Sequence, residues 1–254
     1  MINLENKNII LTGATGGIGA SIADTLINLK SNLIVTGTNE KKLEELKHKH
    51  PKIISIKQDI SAHDELEGFI DKCSQELGDK IDVLINNAGI TKDNLTIRMN
   101  KDEWDKVIDI NLTSTFLLTK HTIKKMLKKK SGKIVNITSV VGHTGNLGQV
   151  NYSASKGGIL SMSKSLSLEY AKKNITVNSI CPSYVDTPMT ERTINNIVRI
   201  TNLNKEEATR EITSSNPQKK LIKPIEIANT VVWLCKETSS SVNGHNISIS
   251  GGEI

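Results

Sequence analysis

Short apolar runs alternate along this chain with longer stretches in which apolar residues recur at helical spacing. The runs read as strands near Ile9–Thr12, Asn32–Thr36, Lys52–Lys57, Val83–Asn86, Gly132–Thr138, Ile175–Cys181 and His245–Ile249. Helical patterns fill most gaps, over Ala20–Leu29, Lys41–Lys49, Asp64–Glu76, Lys101–Lys129, Tyr152–Lys173 and Ile225–Lys236. This alternation predicts an α/β fold with a doubly wound parallel sheet of about seven strands, helices on both faces and ligands at the carboxyl edge. One stretch breaks the rhythm. Between Thr187 and Lys223, Thr190–Thr201 and Lys205–Ile212 both read as helices, with Asn204 as the N-cap of the second.

Composition adds bounds. The chain has 254 residues, 37% hydrophobic and 24% charged, which fits one soluble globular domain over 1–254. No run approaches the ~18 apolar residues of a membrane span. Met1–Lys7 leads directly into the first strand, which leaves no room for a signal peptide. Cys73, Cys181 and Cys235 are scattered without metal spacing, so three small packing residues, a reducing cytoplasm and no metal site are expected. The net charge of +6 permits an acidic partner, but no nucleic-acid motif or aromatic interleaving accompanies it, which argues against nucleic acid.

Candidate chemistry then stands out. Tyr152 and Lys156 lie four residues apart, one turn on one helix face. A fixed ammonium beside a phenol favours phenolate and lowers its pKa, the tuning that general acid–base work needs. Alone, such a pair is far more often a solvated helix face. Near the N-terminus, a strand ending at Thr12 runs into Gly13-Ala-Thr-Gly-Gly-Ile-Gly19 and then a helix. Glycines in that setting let a pyrophosphate approach the helix N-terminus, where free N–H groups attract anions.

Together these residues resemble the short-chain dehydrogenase/reductase family, and so imply a Rossmann-type dinucleotide fold. Thr12-Gly-Ala-Thr-Gly-Gly-Ile-Gly19 is similar to its glycine motif, and Asn86-Asn-Ala-Gly89 to its second motif. Asn111, Ser139 and Tyr152-x-x-x-Lys156 match its active-site residues, in family order over nearly the whole chain. Ser183 follows Pro182 where the family has glycine. By this resemblance Asn111, Ser139, Tyr152 and Lys156 are catalytic. Ser139 and Tyr152 would bind the substrate oxygen and Tyr152 would donate the proton. Lys156 would lower the Tyr152 pKa and bind the nicotinamide ribose, and Asn111 would hold a water of the proton relay. Cofactor contacts are expected from Gly13, Thr15, Gly16, Gly17, Ile18, Gly19, Thr38, Asn39, Asp59, Ile60, Asn87, Ala88, Gly89, Tyr152, Lys156, Pro182, Val185 and Thr187.

No acidic residue closes the second strand, where Gly37, Thr38 and Asn39 stand, so a 2′-phosphate is not repelled. NADP(H) is therefore favoured, with NAD(H) possible. Asn86–Leu95, Arg98-Met, Trp104–Leu112 and Val140–Tyr152 are most similar to the 3-oxoacyl-carrier-protein reductases, which implies a 3-oxoacyl thioester as substrate, on coenzyme A or an acidic acyl carrier protein. Lys124, Lys125, Lys128–Lys130, Lys172 and Lys173 read either as a basic rim for that carrier or as a solvated face. The helical insert at about 187–223 reads as a substrate lid, and its length is similar to that of 3-hydroxybutyrate and 3-hydroxyacyl-CoA dehydrogenases. An NAD-linked dehydrogenase of that kind is the alternative, and a dinucleotide-binding redox sensor the non-enzymatic one. Most relatives are tetramers, so a homotetramer is implied, and Val107, Ile110, Phe116 and Leu117 could serve it or the chain's own core.

Overall fold

A computed structural model describes residues 4–254. Met1–Asn3, the first part of the Met1–Lys7 stretch from which the absence of a signal peptide was expected, lie outside the described residues. Seven strands form one parallel sheet: β1 (Asn8–Thr12), β2 (Asn32–Gly37), β3 (Ile54–Lys57), β4 (Val83–Asn86), β5 (Gly132–Ile137), β6 (Ile175–Pro182) and β7 (Asn246–Ile249). Their order is β3-β2-β1-β4-β5-β6-β7. β1 pairs with β2 on one side and β4 on the other, so the winding reverses at the carboxyl ends of β1 and β4. A crevice must open there, because the connections on either side leave toward opposite faces.

Alternate side chains of each strand enter different cores. Ile9 and Leu11 pack with Ile22 and Leu26 of α1 (Gly17–Asn28) and with Ile227 and Val231 of α10 (Pro224–Cys235). Ile10 points the other way, toward Phe69 and Ile70 of α3 (Leu66–Glu76) and Leu118 of α5 (Ser114–Lys129). Both faces are therefore covered, and this is why the central strands read as unbroken apolar runs. The remaining helices are α2 (Glu40–Lys49), α4 (Lys101–Ile108), α6 (Val141–Thr144), α7 (Val150–Tyr170), α8 (Pro188–Ile200) and α9 (Lys205–Ile212). Cys73, Cys181 and Cys235 are all buried and free, in agreement with packing roles. No helix among the described residues is long and apolar enough to cross a membrane.

Two local features depart from the periodicity. The single helix expected over Lys101–Lys129 is split into α4 and α5 by a π-helical turn, Asp109–Thr113, where the Ser114 N–H reaches back to Asp109 O. One extra residue in a turn leaves an apolar pattern nearly unchanged, so periodicity does not report it, and such turns often sit at functional sites. α8 begins at Pro188, two residues before the expected start, because Thr187 caps it and proline is suited to the first turn. The 187–223 insert has its own small core of Ile194, Ala208 and Ile212, flanked by Tyr184, Ile197, Val198 and Leu221. A bridge between Val185 and Ile222 ties its two stems together. Asn204 caps α9 as its sequence predicts, in a reciprocal capping box with Glu207.

Candidate active site

The loop after β1 is shaped by close approach. Gly13 has φ of +65°, and a Cβ there would lie 2.7 Å from Ala88 Cα; at Gly19 it would lie 2.2 Å from Gly13 O. Only glycine satisfies both packing and torsion. The loop is also tied to the segment after β4. Asn87 Nδ2 donates to Thr12 O and Gly13 O at 3.0 and 2.9 Å, and Thr12 Oγ1 accepts from the Asn87 and Ala88 N–H groups. Gly16 supplies no side chain to cap α1, whose first turn carries no acidic residue, so the helix N-terminus is free to meet an anion.

This N-terminus opens on a cleft of about 630 Å³ at the switch point. Its walls include Gly13, Thr15, Gly16, Gly17, Ile18 and Gly19. Thr38, Asp59, Ile60, Asn87, Ala88, Gly89, Tyr152, Lys156 and Thr187 also line it, so most residues the sequence nominates for a cofactor converge there. Three do not line this cleft. Pro182 and Val185 line a smaller adjoining pocket of about 120 Å³, and Asn39 turns its Oδ1 to cap α2, accepting from Lys42 N at 3.0 Å. A loop position three residues before a helical N–H is as well suited to capping as to binding a ligand. Lys42, Met189 and Arg192 also line the cleft. Met189 and Arg192 lie three residues apart, one turn of α8, shortly after the nominated Thr187, a signal that could have found them. Dimensions, glycine cradle and uncapped helix all fit a dinucleotide. Among the described residues, no group of three or more His, Cys, Asp and Glu side chains could hold a metal ion.

Ser139 and Tyr152 meet where the cleft joins the small pocket, with the Ser139 hydroxyl near enough to the phenol to favour its ionised form. Lys156, one turn along α7, is 4% exposed, lies 5.5 Å from the Tyr152 ring centroid and donates to Ile137 O at 2.9 Å. Burial without a carboxylate partner lowers its pKa from 10.5 to about 8, offset in part by the Cys181 thiol. The expected lowering of the Tyr152 pKa is not what the protein groups produce. Burial raises it first, the nearby Asp93 carboxylate raises it further, and only the Ser139 hydroxyl opposes them. A lysine that is itself easily deprotonated is a weak acidifier of its neighbour.

Asn111 sits in the π turn, fully buried, and acts as a pin. Its Oδ1 accepts from Ile90 N at 2.9 Å, while Nδ2 donates to Ile90 O and to Ser155 Oγ at 3.0 and 3.1 Å. Both amide protons are thus engaged in joining the post-β4 loop to α7, and one Oδ1 lone pair is left for a water. Asp93, Gln149 and Tyr184 also line the small pocket, and the sequence reading did not single them out. His143 approaches Cys181 Sγ at 3.6 Å and does not line the small pocket.

The chain is similar to known proteins along its whole length. The family model described as short chain dehydrogenase matches residues 7–197. The 3-oxoacyl-[acyl-carrier-protein] reductase FabG of Aquifex aeolicus is 39% identical over 99% of this chain and 98% of its own. The reductase of the same name from Rickettsia bellii is 40% identical with the same coverage. Among solved structures, a single-substitution variant of actinorhodin polyketide ketoreductase with NADPH aligns with a TM-score of 0.91 at 32% identity, over 99% of this chain and 98% of that one.

Proposed function

Since the chain belongs to the short-chain dehydrogenase family, we propose that it is an NADPH-dependent reductase of 3-oxoacyl thioesters, of the 3-oxoacyl-[acyl-carrier-protein] type that its relatives' names describe. The observation that carries this reading is the small pocket beside the cleft: two hydroxyls converge at its inner end, and none of the described residues lining it is a cation. A ketone flanked by a neutral thioester suits that lining. When bound in the cleft, the nicotinamide dinucleotide supplies the hydride. Ser139 and Tyr152 donate hydrogen bonds to the ketone oxygen, where negative charge develops, and Tyr152 gives up its proton there. Burial holds the phenol above its ordinary pKa, so Tyr152 enters the reaction as a protonated donor. Lys156 keeps the phenol oriented, and Asn111 keeps the loop carrying Gly89 in register with α7.

Preference for NADP(H) is supported by the rim near β2. Gly37 presents no carboxylate, Thr38 and Lys42 line the cleft, and the nearest acid on α2, Glu40, is held by Lys57 at 2.8 Å. The 187–223 insert acts as a lid, with Met189 and Arg192 on the cofactor side and Thr190 and Thr193 on the substrate side. Three free buried cysteines support a reducing, cytoplasmic setting.

The lysines that read either as a carrier-protein rim or as a solvated face do not line this chain's own cleft. Lys128–Lys130 precede β5 and Lys172–Lys173 precede β6, at the sheet edge opposite the cleft, about 30 Å from Tyr152 along α7. Lys124 and Lys125 are already paired with Glu67 and Asp71. Among the described residues this placement favours the solvated-face reading within one chain. In a homotetramer that packed α5 and α7 antiparallel across a two-fold, one protomer's lysines would lie toward its neighbour's cleft.

The test is oxidation of NADPH and of NADH by purified enzyme with an acetoacetyl thioester. NADPH is expected to be faster by at least tenfold; faster turnover with NADH, or none with either, overturns the proposal.

A further inference from the structure

Asp93 is the one charged side chain among the described residues that line the small pocket. Its position is fixed from both sides. The preceding residue's carbonyl, Lys92 O, accepts from Asn151 Nδ2 at 2.9 Å, and the following residue's Asn94 N–H donates to Gly148 O at 2.8 Å. Asn151 is the neighbour of Tyr152, so these two bonds lock the Asp93 loop to the N-terminal turn of the helix that bears the phenol. Asp93 is exposed along part of its surface, while partial burial raises its carboxyl pKa and the neighbouring Gln149 side chain opposes that rise. The side chain lines the same pocket as Tyr152 and Tyr184, so it sets a carboxylate beside the path that a substrate's acyl group takes.

Nothing in the mechanism above calls for that charge, and it opposes ionisation of the proton donor. Its consequence for ligands is simple. A 3-oxo or 3-hydroxy acid brings its own carboxylate two bonds from the reacting carbon, into a pocket whose lining offers no counter-charge. A thioester of the same acid is neutral at that point.

We propose that Asp93 is a specificity-determining residue that refuses free 3-oxo acids and so reserves the site for their neutral thioesters, a proposal that rests on the thioester reading. Two like charges within one small pocket repel by enough to alter relative rates about tenfold or more.

The experiment compares kcat/KM for acetoacetate with that for its neutral N-acetylcysteamine thioester, in wild type, Asp93→Asn and Asp93→Glu. The acid-to-thioester ratio is expected to rise about tenfold in Asp93→Asn and to stay near the wild-type value in Asp93→Glu. A merely structural role would move both substrates together and leave the ratio alone. An unchanged ratio in Asp93→Asn, or an equal rise in both variants, overturns the proposal. Failure of wild type to reduce the thioester overturns instead the functional reading beneath it. Should Asp93→Asn not fold, Asp93→Ser is read against the same ratio.

Discussion

The buried ammonium of Lys156 is the costliest single group in the site. Its pKa falls from 10.5 to about 8 on burial, so between those values the unfolded chain holds a proton that the folded chain has released. Stability therefore rises as pH climbs through that window, and the cost of the buried charge is complete below it. Lys156→Met removes the titration. In urea unfolding it is expected to be more stable than wild type at pH 7, by on the order of 1–3 kcal/mol, with the gain fading toward pH 10.5. A stability difference that does not change with pH would contradict the burial argument. At this scale the sequence was informative about identities and uninformative about environment. Tyr152, Lys156 and Ser139 were legible from spacing and resemblance, but the upward shift of Tyr152 comes from its burial in the folded site, to which Asp93, 59 positions upstream, adds. No local pattern reports such a neighbour.

Among the elements, strands were read best, because burial on both faces leaves a continuous apolar signature that turns interrupt. Lys205–Ile212 was also read correctly, since its Asn204 cap and Glu207 partner are local chemistry. The π turn at Asp109–Thr113 was not, because it is imposed by Asn111 bonding to Ile90 and Ser155 across the fold. α9 is held by its capping box, by Ala208 and Ile212, and by the Lys205–Glu191 ion pair to α8, so losing its cap should loosen it. Asn204→Ala is expected to cost about 1 kcal/mol locally. Hydrogen exchange should then speed in 205–212 and the thioester KM should rise, while NADPH affinity stays within twofold. Equal acceleration of exchange throughout the chain, or a loss of NADPH binding, would contradict the lid assignment.

For the molecule as a whole, a doubly wound parallel sheet with its ligand site at the carboxyl edge was legible from the strand–helix alternation, whereas the strand order was not. Assembly was not legible. The four apolar residues flagged on the Lys101–Lys129 stretch divide: Val107 is fully buried, Ile110 and Leu117 join the internal core, and Phe116 stays 43% exposed. Leu168 on α7 is 70% exposed. These two side chains face outward from the helices that the tetramer proposal pairs. Phe116→Arg with Leu168→Glu is therefore expected to shift the sedimenting species to dimer or monomer, and an unchanged tetramer would place the interface elsewhere.

At the level of the whole enzyme, all of this converges on one hydroxyl. The most direct measurement is steady-state reduction of an acetoacetyl thioester by Tyr152→Phe, with NADPH binding followed separately by fluorescence. Turnover is expected to fall by about a thousandfold or more while the NADPH dissociation constant changes less than threefold, as for a lost proton donor in an intact cleft. Activity within tenfold of wild type would contradict the role assigned to Tyr152, and with it the mechanism.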